Sequence, residues 1–299
     1  MHGVRTVLPD LSIRQLEYLV AVADSPSWAA AAERVGVSPS ALSQGLAELE
    51  RRVGVPLFDR EGRRRVLRPG AAPVLDHARQ VVALTGDLAR WAQRSASGEL
   101  GQLRVGMIDV AAVDHFPEVL ARFRREQPDV DLHLRVAPSG ALLDELRAGG
   151  LDVVVCVDPG GEHAGLDITP VMVEELAVYA PDGRRPTRPG TWGPWVLFPE
   201  TSSTRGIVVD ALTALGAPIE VVAESHQPEV LREMVRLGLG WTVLPVTQAE
   251  SGDRPLAAGR RVAERTLVAA HRVGSVADPV AAVLIEMLRG QVGKGTGTH

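Results

Sequence analysis

The sequence contains one cysteine, Cys156, and one lysine, Lys294, and only 4% of its 299 residues are aromatic. A single thiol excludes an internal disulfide framework and any metal site built from several cysteines. Cys156 lies in the apolar run Val153-Val154-Val155-Cys156-Val157, where a buried strand thiol is the plain reading. With lysine nearly absent, the basic charge is carried by arginine, a bias that a GC-rich coding sequence explains as readily as function does. No apolar run reaches the roughly 20 residues of a membrane span, and the opening segment, ending in Pro9-Asp10, does not resemble a signal peptide. The expected location is cytoplasmic, with no membrane partner.

Catalytic signatures are also missing. There is no His-Glu-x-x-His, Gly-x-Ser-x-Gly or phosphate loop; Gly238-Leu239-Gly240 lacks the third glycine of a nucleotide loop, and Gly290–Thr296 misses the phosphate-loop spacing. The histidines are scattered. The reading is of a protein that is not an enzyme, with no catalytic residue, no metal ligand and no cofactor.

What is present is an ordinary globular composition, 45% hydrophobic and 23% charged, over a length that suits two or three packed units. The net charge of -5 is unevenly spread: residues 1–95 sum to +3 and residues 96–299 to -8. A basic head on an acidic body suggests that the head alone meets a polyanion.

The head carries the pattern for that role. Ser12 and Gln15 form a capping box before Leu16, Leu19, Val20 and Ala23, the stripe of a first helix. Ser27 caps a second helix with Trp28, Ala31, Ala32 and Val35 inward, and Gly36 ends it. Ser38-Pro39 opens a third, with Leu42, Leu46 and Leu49 inward and Ser40, Ser43, Gln44 and Ala47 outward. Two helices about a glycine turn, the second with a small polar face, form a helix-turn-helix, and short hydroxyl and amide groups let such a helix sink into a major groove. Two extended pieces flanking Glu61-Gly62 follow as a wing, crowded by Arg60, Arg63, Arg64, Arg65 and Arg68, side chains suited to phosphates or a narrow minor groove. The candidate DNA-binding residues are Ser27, Ser38, Pro39, Ser40, Ser43, Gln44, Arg60, Arg63, Arg64 and Arg65.

From Ala71 to about Arg94 the pattern is that of one long helix, with Val74, Val81 and Leu88 seven apart beside Ala71, Ala78, Thr85 and Ala92. Such a seam suits pairing with a second helix, or packing on the chain's own C-terminal domain. Ser95–Gly101 reads as a hinge. Beyond it, apolar strands alternate with helical stretches, predicting an α/β fold with a largely parallel sheet. Open α/β sheets bind ligands beyond the carboxyl ends of their strands. The loops at those positions supply Asp109, Val110, Ser139, Gly140, Thr201, Ser202, Ser203, Thr204, Ser225 and His226 as candidate effector-binding residues. Thr201–Thr204 reads equally as an anion site or as simple helix capping. Asp109 would repel an acid or hold an amine, which makes a zwitterion such as an amino acid a candidate effector.

The blocks Leu16–Ala23, Ala31–Ser38, Ser40–Gln44, Leu49-Glu50 and Gly54–Arg60 together resemble the N-terminal signature of LysR-type transcriptional regulators. Weaker phrases continue the likeness at Leu103–Gly106, Gly149–Asp152 and Val235–Pro245. Pro39, Gln44 and Leu67-Arg68-Pro69-Gly70-Ala71 depart from the family's usual residues, which points to a different sequence preference. The resemblance implies an all-α winged helix-turn-helix head and an α/β two-lobed, periplasmic-binding-protein-like effector domain, joined by a long linker helix. The expected layout is a DNA-binding domain at 1–68, a linker and dimerisation helix at 69–94 and a hinge at 95–101. Effector subdomain I takes 102–161 and 266–290, subdomain II takes 162–265, and 291–299 forms a flexible tail. The partners implied are double-stranded DNA with an inverted-repeat operator, further copies of the chain as a dimer or tetramer, a small-molecule co-inducer and RNA polymerase.

Overall fold

Ile13–Ala23 (α1), Trp28–Arg34 (α2) and Pro39–Val53 (α3) form three short helices closed by a two-stranded hairpin, Phe58–Glu61 (β1) and Arg64–Leu67 (β2). The computed structural model describes residues 10–61, 64–97, 101–161, 163, 165–183, 185–252, 254–275 and 279–291. Arg63, the hinge residues 98–100 and the tail from 292 lie outside the described residues.

Each head element starts where capping chemistry dictates. Ser12 accepts a backbone N–H while Gln15 Oε1 accepts from Ser12 N, closing the capping box of α1. Ser27 Oγ accepts from Ala30 N and Ser38 Oγ from Ala41 N, each at 3.2 Å, satisfying first-turn donors of α2 and α3. Gly36, at φ 68°, supplies the left-handed turn between those helices. The three helices bury Leu16, Leu19, Ala31, Ala32, Leu42, Leu46 and Leu49. Gly45 is required by this packing: a Cβ there would lie 2.7 Å from the Tyr18 ring.

The linker helix α4, Ala72–Ser97, follows a 3-10 turn at Pro69–Ala71. It runs three residues into the expected hinge; Ser95-Ala96-Ser97 contains neither glycine nor proline to stop it. Ala71, Leu75 and Ala78 join the head's own core, with Val74 and Val81 partly buried beside them. The seam expected to pair with another chain is therefore half used within the head, and Leu88, 54% exposed, is uncovered, with Trp91, 47% exposed, three residues beyond it on α4.

The chain divides into two compact units, Met1–Gln93 with Arg147–Gly149, and Arg94–Leu146 with Gly150–His299. In the second, the first lobe contains Gln102–Met107 (β3), Pro117–Glu126 (α5), Asp131–Val136 (β4), Ser139–Arg147 (α6) and Val153–Val157 (β5). Then come Leu166–Tyr179 (β6), Trp195–Leu197 (β7), Ser203–Ala214 (α7), Val221–Glu224 (β8), Pro228–Arg236 (α8), Thr242–Pro245 (β9) and Val246–Ala249 (α9), before Arg260–Arg272 (β10) and Pro279–Gln291 (α10) return.

The main sheet has the order β4-β3-β5-β10-β6-β9. β3 pairs in parallel with β4 and β5, but β10 runs antiparallel to both β5 and β6, and β9 antiparallel to β6. The sheet is thus mixed where a largely parallel one was expected. The reason is that β6 and β10 are not short lobe strands: they are long crossovers paired along most of their length, with Arg265 directly opposite Glu174. A sheet built from two returning crossovers must contain antiparallel pairs. β7 and β8 form a separate parallel pair in the second lobe.

Candidate DNA interface and effector cleft

The outward face of α3 is as expected. Ser38, Pro39, Ser40, Gln44 and Ala47 are exposed and Ser43 is half-buried, while the leucine stripe is fully buried. Ser38 Oγ lies 3.1 Å from Ser40 Oγ, so the two hydroxyls at the helix start form one polar patch. Ser27 stands at the start of α2, its oxygen used as the helix cap.

The hairpin register sets Arg60 opposite Arg65 and Glu61 opposite Arg64. Arg65 lies over the Trp28 indole, 5.2 Å from the ring centroid, and Trp28 meets Phe58 edge-on at 5.2 Å. An aromatic floor from α2 and β1 thereby holds a wing arginine. Arg68, also in the arginine run, is instead committed to Asp59 at 2.8 Å. One residue that sequence reasoning did not assign is Glu50, whose Oε1 accepts from the backbone N–H groups of Leu57 and Phe58. Its sequence signals were a place beside the leucine stripe and membership of the Leu49-Glu50 block, neither of which gave it a role.

In the effector unit, a cleft of about 290 Å³ opens at the carboxyl ends of the strands. Asp109 follows β3, Ser139 follows β4 at the start of α6, Thr201, Ser202 and Thr204 follow β7, and His226 follows β8; all six line the cleft. Four other candidates do not. Val110 turns into the core at 0% exposure because an apolar side chain there completes the packing around the π-type turn Ala111–His115. Gly140 and Ser203 sit inside the first turns of α6 and α7 without lining the cleft, and Ser225 Oγ accepts from Gln227 N to brace its own loop.

The capping reading of Thr201–Thr204 is not what the geometry favours. Ser202 is the N-cap of α7, but its hydroxyl makes no capping bond. Thr204 is 2% exposed and its Oγ1 accepts from Arg265 Nη1 at 2.7 Å. Ser139 Oγ accepts from Val157 N at 3.3 Å, leaving its proton to be directed elsewhere.

Arg265 lines the cleft and was not anticipated, because it lies within the strand β10 and not in a loop that follows a strand end. Its Nε donates to Glu174 Oε2 at 2.7 Å, and His115 Nε2 donates to Glu174 Oε1 at 2.6 Å. Burial pushes the Glu174 carboxyl up, but the His115 bond and the Arg265 charge outweigh it and hold the group below the usual range. Close by, Asp114 is raised by burial, with Asp109, Glu229 and Glu174 adding to the rise against the pull of His115. Gln248 Nε2 approaches Asp109 Oδ2 at 3.4 Å across the two lobes, and its own Oε1 is buried without a partner.

Among the described residues no group of histidine, cysteine and acidic side chains could hold a metal, and no helix is long and apolar enough to cross a membrane. Comparison with known proteins matches residues 13–72 to the bacterial regulatory helix-turn-helix proteins of the lysR family and residues 96–293 to the LysR substrate binding domain. The transcriptional regulator IlvR of Caulobacter vibrioides is 27% identical over 254 residues, spanning 79% of this chain and 83% of its own. A probable hydrogen peroxide-inducible genes activator of Mycobacterium avium is 30% identical over 242 residues, 78% of each chain. Among solved structures, full-length CbnR complexed with its target DNA is similar in fold, with a TM-score of 0.56, 22% identity and coverage of 94% of this chain and 100% of that one. The two matched domains span most of the sequence, and the protein belongs to the LysR family of transcriptional regulators, non-enzymatic DNA-binding proteins with an effector-binding domain.

Proposed function

We propose that α3 reads the major groove of an inverted-repeat operator, that the wing arginines engage flanking phosphates, and that a small molecule in the cleft shifts how the chain is held on that DNA. The observation carrying the DNA reading is the exposed hydroxyl and amide face of α3 beside an arginine wing held on Trp28. The observation carrying the effector reading is the convergence of four separate strand-to-helix loops, from both lobes, on one cleft. A ligand contacting both lobes binds one lobe arrangement better than another and so shifts the population toward it. The exposed end of α4, with Leu88 and Trp91, supports pairing of two copies, which a two-fold operator requires. Such a regulator works in the cytoplasm.

The name of the Mycobacterium avium relative mentions hydrogen peroxide, and a response to it through an internal disulfide does not fit this chain. Its one cysteine, Cys156, is buried in β5.

The test is footprinting of genomic DNA with the intact protein, with and without a small-molecule extract of cells. A protected two-fold site whose pattern changes with the extract is expected, and the change should disappear in the cleft-filling variant Thr201→Trp. A footprint indifferent to extract would overturn the effector reading, and absence of any preferred site would overturn the DNA reading.

A further inference from the structure

The cleft is electrically two-ended. On the crossover strand β10, Arg265 is 5% exposed, with Nε committed to Glu174 and Nη1 to Thr204. Its bonds among the described residues run through Nε and Nη1 and leave Nη2 uncommitted, and the side chain lines the cleft. A guanidinium pinned through two of its nitrogens presents the third as a donor of fixed direction. Thr201 and Ser202 lie in the same wall at the start of α7, and the Ser202 hydroxyl is not spent on capping. This end favours an anionic group.

The other end favours a cation. Asp109 closes the cleft at the tip of β3, and its partner among the described residues, Gln248 Nε2, stands at 3.4 Å, beyond ordinary N–H···O distances. Asp114 lies near enough to Asp109 for the two carboxyls to repel, and Gln248, 8% exposed, carries a buried carbonyl oxygen with no donor among the described residues. A ligand with only a carboxylate would meet this acidic end without compensation. A ligand with only an amine would leave the Arg265 donor unanswered, and unpaired polar groups in a closed site are costly.

We infer, on the basis of the effector reading above, that the cleft takes a small zwitterion of the α-amino acid class, its ammonium held by Asp109 and its carboxylate by Arg265 Nη2 with Thr201 and Ser202. The cavity of about 290 Å³ has room for about ten groups of water size at ~30 Å³ each. Ile108, Val136, Val157 and Phe198 give the ligand's side chain an apolar wall. Because Asp109 belongs to the first lobe and Thr201 and Ser202 to the second, one zwitterion ties the lobes together, which neither half of the molecule does alone.

The experiment is thermal unfolding and calorimetric titration of the intact chain with three matched sets: the common α-amino acids, the same skeletons lacking the amine, and the same skeletons lacking the carboxyl. At least one amino acid is expected to raise the midpoint and bind, with both of its truncated counterparts weaker by about tenfold or more. Asp109→Asn should erase the preference over the amine-free counterpart, and Arg265→Lys the preference over the carboxyl-free one. Because Arg265 is buried, Ser202→Ala, on an accessible loop, provides a second reading of the carboxylate end.

Equal binding of a truncated counterpart, unchanged amino acid affinity in Asp109→Asn, or no response to any of the three sets would each overturn the inference. If the three sets fail while a cell extract still alters the footprint of wild type but not of Thr201→Trp, the effector cleft stands and only the charge assignment falls.

Discussion

Glu50 Oε1 accepts the backbone N–H of Leu57 at 2.7 Å, so α3 fixes the entry of the chain into the hairpin. The same oxygen takes Phe58 N at 3.2 Å, and Glu50 is half-buried against the hairpin it holds. Replacing it strands two N–H groups at the base of the wing. Glu50→Ala should cost about 1–3 kcal/mol in urea unfolding. It should also weaken DNA binding although Glu50 itself carries no charge that favours DNA. A variant that binds DNA more tightly, as loss of one negative charge alone would predict, would contradict this role.

The wing arginines and their aromatic support should separate by salt dependence. Replacing Arg63, Arg64 and Arg65 together with alanine removes three positive charges from the arginine run, and the slope of log affinity against log salt should fall by about one for each phosphate no longer neutralised. Trp28→Leu leaves every arginine in place but removes the surface over which Arg65 lies. Binding should weaken there with the slope nearly kept. Equal slopes in wild type and the triple arginine variant would count against the wing as a phosphate-binding element.

The head was readable from sequence because its signals are local. Ser27, Ser38 and Gly36 act through bonds three or four residues away, and the leucine spacing of α3 is a property of one helix. The cleft loops were readable more coarsely, since strand ends can be placed by pattern but the direction of each side chain cannot; Asp109 and its neighbour Val110 face opposite ways. Arg265, Glu174 and His115 were not readable. The pairing of two crossovers brings Arg265 to Glu174, 91 residues away in sequence, and His115 reaches the same carboxylate from a turn 59 residues before it. Nothing local in Glu264-Arg265-Thr266 distinguishes a buried arginine from a solvated one. The linker seam shows the same limit: its periodicity was correct, but periodicity does not say which partner covers which residue.

Self-association should depend on the uncovered end of α4. Leu88→Glu places a charge on the exposed part of the seam and leaves Ala71, Leu75 and Ala78 in the head core. Sedimentation of the intact variant should show a smaller species than wild type at the same concentration, and its protection of a two-fold site should need more protein. An unchanged species distribution would place the interface between copies on another surface.

The cross-strand pair Glu174 and Arg265 should govern stability in acid. Glu174 is held below its ordinary range in the folded chain, so its contribution is complete above the unfolded glutamate value of about 4.3 and is lost as pH falls toward the lower folded value. Glu174→Gln removes the carboxylate while leaving the Arg265 charge buried, which should cost about 3–5 kcal/mol at neutral pH. The variant's stability should then fall less steeply than that of wild type as pH drops below about 4.3, because the titrating partner is gone. The measurement is a series of urea midpoints over that range for both proteins. Parallel curves would mean that Glu174 titrates alike in the folded and unfolded chains, and the buried pair would then have no part in the acid limb.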